Sequence, residues 1–198
     1  MQDQSIRYVY MSGALTGLNQ DDLRYTNELY DRVAAVCKSF NIECYLPGKS
    51  PTTPTKGIPH HKVWKIDYEK VIESSLVIAY VGLASTGVGC ELEMARTGDV
   101  DVVLLCEEDR QDNVSRLVLG NPSVVDIVPF TTFDDMEPKL REALVQEISK
   151  INLEQAAMEE NWPYSHVKDL RSEIIAARKR DQPISATEWK RMRQGKLI

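Results

Sequence analysis

The sequence predicts an α/β fold: a doubly wound, mostly parallel five-stranded sheet of Rossmann or flavodoxin-like type, with a C-terminal helical extension. Three observations predict it. Short apolar runs of strand length recur at Ile6–Met11, Ile42–Leu46, Leu76–Val81, Val100–Cys106 and Val124–Phe130. Runs such as LVIAYV are unbroken, which suits parallel strands covered on both faces; half-exposed strands would alternate. Between the runs lie stretches with helical spacing, and this alternation of strand and helix specifies right-handed crossovers within one sheet.

The first run, IRYVYM, is rich in β-formers and reads as a core strand. Ser12-Gly13-Ala14-Leu15-Thr16-Gly17 follows it. A glycine-bearing turn between strand and helix can present backbone N–H groups to an anion or a sugar. This turn has neither the GxGxxG spacing of dinucleotide sites nor the GK[ST] ending of a P-loop, so nicotinamide and ATP are disfavoured. Asp21–Phe40 carries Leu23, Tyr30, Val33, Val36, Cys37 and Phe40 at helical spacing, and Asn41 ends it. After the short second strand, Pro47–Pro59 holds four prolines, two glycines and three threonines. A loop of this length leaving a strand's carboxyl end suggests a lid or wall over a site.

His60–Ser74 resumes helical spacing through Val63, Asp67 or Tyr68, Val71 and Ile72. Taken alone, Asp67 is more often a solvated surface residue. His60 and His61 are adjacent and have no third ligand in view, so no metal site is expected.

The stretch from Ser75 to Ala95 organises the chain. Leu76–Val81 is the central strand and Gly82 ends it; Gly87 and Gly89 offer backbone freedom or close approach. Cys90–Ala95 favours helix, which places Glu91 in a first turn, where unpaired N–H groups and the dipole favour an ionised carboxylate. Ligands of open α/β sheets bind just past the strands' carboxyl ends, where Ser85–Glu91 would lie. Spacing alone supports a nucleophile and a simple helix cap equally. Glu93 points elsewhere and reads as solvated or salt-bridged.

Val100–Cys106 and Val124–Phe130 complete the sheet, separated by a polar segment with a short possible helix at Val114–Leu119. Pro138 to about Ala157 is a long final helix with Leu140, Leu144, Ile148 and Ile151 facing in. Beyond it, Ser165–Arg180 can form an amphipathic helix, Pro183 breaks it, and Ser185–Glu188 is a capping box. The domain reading is an α/β domain over residues 1–160 and a basic helical extension over 161–198.

Composition narrows the function classes. At 198 residues, 42% hydrophobic and 27% charged, the chain suits one good-sized core with a small appendage. No apolar run approaches the roughly 20 residues that span a bilayer, and Met1–Arg7 is too polar for a signal peptide, so a cytoplasmic location is expected. Cys37, Cys44, Cys90 and Cys106 form no CxxC, which suggests reduced structural thiols. Of the net charge of −6, residues 166–198 contribute nine Lys/Arg against four Asp/Glu, leaving an acidic body and a basic tail. An acidic body argues against extended phosphate-backbone binding.

Three segments carry a family likeness: Val9-Tyr10-Met11-Ser12-Gly13; Asp67 followed by Ser75-Leu76-Val77-Ile78-Ala79; and Ser85-Thr86-Gly87-Val88-Gly89-Cys90-Glu91-Leu92. With them, about residues 6–130 resemble the nucleoside 2-deoxyribosyltransferase superfamily, most closely its branch of 2'-deoxynucleoside 5'-phosphate N-hydrolases. The third segment is the most specific. Ser115–Gly120 is more faintly similar to a segment that in relatives reaches across a dimer. The resemblance implies Glu91 as nucleophile, Tyr10 as the hydroxyl orienting it, and Asp67 as acid or base towards the nucleobase. It also implies Ser85 and Ser115 as contacts to the sugar's 5' side, with Ser12, Gly13, Thr16, Gly87 and Gly89 lining the substrate, and a homodimer with shared sites. Where the nucleotide hydrolases carry an arginine in the first glycine loop, this chain has Thr16, which removes a charge-assisted phosphate contact. Arg116, Lys49 or Lys56 could substitute.

The implied chemistry is cleavage of an N-glycosidic bond in a (deoxy)nucleoside or nucleoside 5'-monophosphate. A glycosyl-Glu91 intermediate would be resolved by water or a second base, with no metal or cofactor and the two carboxyl groups about 5 to 6 Å apart. The alternative is a nucleotide-binding sensor without turnover; retention of Glu91, Asp67 and Tyr10 together argues against it. Nucleic-acid binding by the basic tail is disfavoured, since Trp189 is the one interleaved aromatic.

Overall fold

A computed structural model of the chain describes residues 8–49 and 57–159. Lys56, the middle of the Pro47–Pro59 loop and the helices expected after Ser165 lie outside them. Five strands form one sheet: β1 (Val9–Ser12), β2 (Cys44–Tyr45), β3 (Leu76–Tyr80), β4 (Val102–Glu107) and β5 (Val124–Phe130). The order is β2-β1-β3-β4-β5 and every pairing is parallel, as the unbroken apolar runs require. All residues of β1, β3 and β4 are buried. Burying a side chain such as Leu76, Val77 or Ile78 contributes roughly 1.5–3 kcal/mol each, so the three central strands anchor the core.

Helix α1 (Gln20–Ser39) is capped by the Asn19 side chain, which accepts from the Asp22 N–H at 2.8 Å. It buries Thr26, Leu29, Tyr30, Val33, Val36 and Cys37; Leu23, expected in this stripe, is 44% exposed. Phe40 caps the helix and Asn41 turns the chain with φ 60°. Helices α2 (His60–Glu73) and α3 (Thr86–Thr97) pack together. Their approach is close enough that a Cβ on Gly98 would lie 2.8 Å from Ile72.

A 3-10 turn (Glu108–Asn113) and the short α4 (Arg116–Leu119) join β4 to β5, and α5 (Phe133–Glu159) follows. The final helix thus begins five residues before Pro138. Thr132 Oγ1 accepts from the Asp135 N–H at 3.2 Å, and Asp134 and Asp135 sit favourably in the first turn, while Pro138 is carried inside the helix. A compact unit spans Ile6–Ala143, and a second begins at Leu144.

The order of strands creates the crevice. β1 leads outward to β2, whereas β3 leads the opposite way to β4 and β5, so the winding reverses between β1 and β3. The carboxyl ends of these two strands are where such a sheet opens to a ligand. No helix among the described residues is long and apolar enough to cross a membrane.

Candidate active site

Three elements converge on one carboxylate at this crevice. Glu91 projects from α3 towards the end of β1, where the Tyr10 hydroxyl donates to its Oε1 at 2.8 Å and the Ser12 hydroxyl donates to its Oε2. Tyr10 and Ser12 are fully buried and two residues apart on one strand, which points both side chains to the same face of the sheet. The Tyr10 ring is stacked on Tyr45 at 5.6 Å between centroids. A hydroxyl on a rigid, stacked ring holds its acceptor in a defined place.

Glu91 lies at the sixth position of α3, outside the first turn expected from the sequence. The helix begins at Thr86, its Ser85 cap accepts from the Val88 N–H at 3.4 Å, and Gly87 and Gly89 are helical. Capping by Ser85, with Val88 and Leu92 buried in the core, outweighs the poor helix propensity of the two glycines. Glu91 is therefore not ionised by free N–H groups. Burial pushes its carboxyl up from 4.5 to about 7, against the lowering effect of the Ser12 and Tyr10 hydrogen bonds, and the Asp67 charge adds to the rise.

Asp67 on α2 is the second carboxylate, near enough to act electrostatically on both Glu91 and Tyr10. Burial raises its own titration, and its Oδ1 is buried without a hydrogen-bond partner among the described residues. A buried, unpaired carboxyl oxygen is costly in a finished structure and useful where a ligand supplies the missing partner. Tyr10, raised by burial and by Glu91 and then Asp67, stays a neutral donor.

The first glycine loop rests on a residue whose role the sequence did not reveal. Tyr30 of α1 donates its hydroxyl to the Ala14 carbonyl at 3.0 Å, and a Cβ on Gly13 would come within 2.0 Å of that hydroxyl. The helical stripe marked Tyr30 as buried, but nothing local could show where its polar end reaches. Thr16 is exposed beside Gly17, whose φ is 74°. Gly87 and Gly89 face open space: a Cβ on Gly89 would meet nothing within 4 Å, and one on Gly87 only Ser85 Oγ at 3.6 Å.

Ser115, exposed, caps α4 by accepting from the Leu117 N–H at 3.3 Å, and Arg116 beside it is exposed. Lys49 is engaged by Asp31 at 2.7 Å. Glu93 pairs with Arg96, as expected of a solvated residue. His60 and His61 are exposed, and no group of three metal-ligating side chains occurs among the described residues. All four cysteines are free thiols. A groove of about 600 Å³ runs between α2 and α3 past Trp64, Tyr68, Gly89 and Met94.

No family model matches the chain, and no curated protein sequence matches it. Among solved structures it is similar to the CMP N-glycosidase BcmB of Clostridium botulinum, with a TM-score of 0.52 and 16% identity over 68% of this chain and 97% of that one. The solution structure of BlsM is similar with a TM-score of 0.55 and 16% identity, over 75% of this chain and 95% of that one. These likenesses establish a shared fold.

Proposed function

We propose that this protein cleaves the N-glycosidic bond of a nucleoside or nucleoside 5'-monophosphate, with Glu91 as the nucleophile. The observation that carries the reading is the grip of two hydroxyls from one buried strand on both oxygens of Glu91, at the point where the sheet's winding reverses. A carboxylate held this way is aimed, and its partial burial keeps it reactive. The fold shared with a CMP N-glycosidase supports the same class of bond.

In the proposed reaction Glu91 attacks C1' of the sugar as the bond to the nucleobase breaks, through an oxocarbenium-like state. The base leaves with a proton from Asp67, whose raised titration suits a donor. Water or a second base then attacks C1', gives its proton to the Asp67 carboxylate left by the first step, and releases Glu91. Tyr10 and Ser12 keep the carboxylate oriented through both steps. Ser12, which the resemblance places on the substrate, is assigned here to the nucleophile because its hydroxyl is already spent on Glu91 Oε2. Ser85, Gly87, Gly89 and the first glycine loop line the substrate in this reading, within the domain of residues 1–160, and Ser115 of a second copy borders the pocket.

Incubation with a panel of deoxynucleosides, ribonucleosides and their monophosphates, with and without a second free base, tests the proposal by chromatography of the released base. Release abolished by Glu91→Gln supports it. Absence of release from every member of the panel sinks it and favours the sensor alternative.

A further inference from the structure

A second polar cluster closes on the loop between β3 and α3 from the other face of the sheet. Tyr80 pairs in register with Leu105, so Glu107, two residues further along β4, projects to the same side as Tyr80. The Tyr80 hydroxyl donates to Glu107 Oε1 at 2.7 Å. Arg110, in the 3-10 turn that follows β4, places Nε 3.9 Å from the same oxygen. Its Nη1 donates to the Tyr80 hydroxyl at 3.4 Å and to the Gly82 carbonyl at 3.3 Å. Tyr25 of α1 joins the cluster, its ring 6.4 Å from that of Tyr80.

Glu107 Oε2 is buried, the Tyr25 hydroxyl bears on the same carboxylate, and a Cβ on Gly82 would fall within 2.0 Å of Oε2. The loop backbone is therefore pressed onto a carboxylate on one side and hydrogen-bonded by a guanidinium on the other. Three residues later Ser85 caps α3, and six beyond that α3 presents Glu91. Buried Val88 and Leu92 make the helix rigid between the cap and the carboxylate.

We propose that Glu107, Tyr80 and Arg110 form a positioning clamp on the Gly82–Ser85 loop, which sets where α3 holds Glu91 against Ser12 and Tyr10. The proposal rests on the reading of Glu91 as the nucleophile. None of the three touches the reacting atoms; they act through the loop. An apolar plug could fill the same volume, but it would leave the Gly82 carbonyl unheld. A buried, hydrogen-bonded charged cluster can fix geometry at a cost in desolvation.

The test uses Arg110→Met and Glu107→Gln, with Arg110→Lys as the conservative control, each checked for folding by circular dichroism. The Glu91 carboxyl is titrated by carbon NMR, its signal assigned by loss in Glu91→Gln, alongside kcat and KM. Groups facing Glu91 are Ser12, Tyr10, Asp67 and Tyr30, and those facing Glu107 are Tyr80, Tyr25, Arg110, Asp109 and Cys106; the variants alter none of the first set. A loosened clamp displaces Glu91 in its site, changing its burial and its Ser12 and Tyr10 hydrogen bonds alike in both variants, so its midpoint moves in the same direction in Met and Gln variants. A through-space charge effect instead moves it up on losing the Arg110 cation and down on losing the Glu107 anion. The expected result is a shift of the same sign in both. With it, kcat falls about tenfold or more at nearly constant KM, since an ångström of misplacement costs on the order of a hundredfold, and Arg110→Lys restores part of the loss. Opposite shifts, or an unmoved midpoint with only a lower Tm, overturn the clamp. The midpoint is read without turnover, so a wild-type protein that releases no base while both variants shift in the same direction leaves the clamp standing and removes the nucleophile reading.

Discussion

At Glu91 burial and hydrogen bonding oppose each other, and burial prevails, pushing the carboxyl from 4.5 to about 7. A nucleophile must be ionised, so kcat/KM is expected to climb with pH through an acid limb near 7, as free-enzyme profiles report. Because the Asp67 charge contributes to the rise, Asp67→Asn is expected to lower the Glu91 midpoint, read by NMR titration. The same opposition has a stability consequence. Glu91 titrates higher folded than unfolded, so the folded state holds the extra proton between about 4.5 and 7, and stability falls as pH rises through that window. Glu91→Gln removes the effect: its Tm is expected to exceed that of the wild type at pH 8, with the gap closing near pH 4.5. In the same variant turnover is expected to drop by orders of magnitude with ligand affinity retained, because the lost interaction belongs to the transition state. Near wild-type turnover would remove Glu91 from the nucleophile's role.

At the scale of elements, the start of α3 decides which group does what. Had the helix begun at Cys90, Glu91 would have faced free amides. With Ser85 as cap it stands in the second turn, and its environment comes from β1 and α2 instead. Ser85→Ala is expected to cost about 1 kcal/mol of stability by loss of the cap, measured by urea denaturation, and to lower turnover further by loosening the helix that carries Glu91. The β1–α1 loop has a corresponding constraint in the contact of Gly13 with Tyr30. Gly13→Ala forces the Tyr30 hydroxyl off the Ala14 carbonyl. We expect a lower Tm, partly recovered in Gly13→Ala with Tyr30→Phe, because the phenyl ring lacks the oxygen that clashes. Equal Tm in both variants would show that the ring carbons, 2.6 and 2.8 Å from the added Cβ, decide the clash.

For the whole molecule, substrate preference turns on which residue would meet a substrate's 5' end. Thr16 is exposed and neutral, Lys49 is engaged by Asp31, and Arg116 is exposed beside Ser115 on α4. A charge-assisted contact to phosphate is worth about 1.5 to 3 kcal/mol, or roughly tenfold to a hundredfold in affinity. If no arginine replaces the one missing from the loop, a deoxynucleoside is used as well as its monophosphate, and Thr16→Arg shifts the kcat/KM ratio towards the monophosphate. A wild-type protein strongly preferring the monophosphate would instead point to Arg116. That residue stands beside Ser115, in the segment expected to border a partner's pocket. Sedimentation at micromolar concentration is expected to show a dimer, and a monomer would count against shared sites.

The chain's own pattern determined the architecture. Five apolar runs separated by helical spacing admit few arrangements besides a parallel doubly wound sheet, because the central runs need cover on both faces and right-handed crossovers supply it. The same pattern put Tyr10 in the first strand and Glu91 past the end of the central one, while Asp67, mid-helix, was marked only by the family resemblance; β5 was delimited residue for residue, since hydrophobic periodicity is a local property. Tertiary structure decided the rest. Only the closure of α3 onto β1 brings Ser12 to Glu91, 79 positions away, and only the packing of β3 beside β4 sets Glu107 against Gly82. Where α3 and α5 begin was likewise settled by caps and burial against intrinsic propensity. Contacts between distant residues depend on how elements pack, and that is written in no single stretch of the chain.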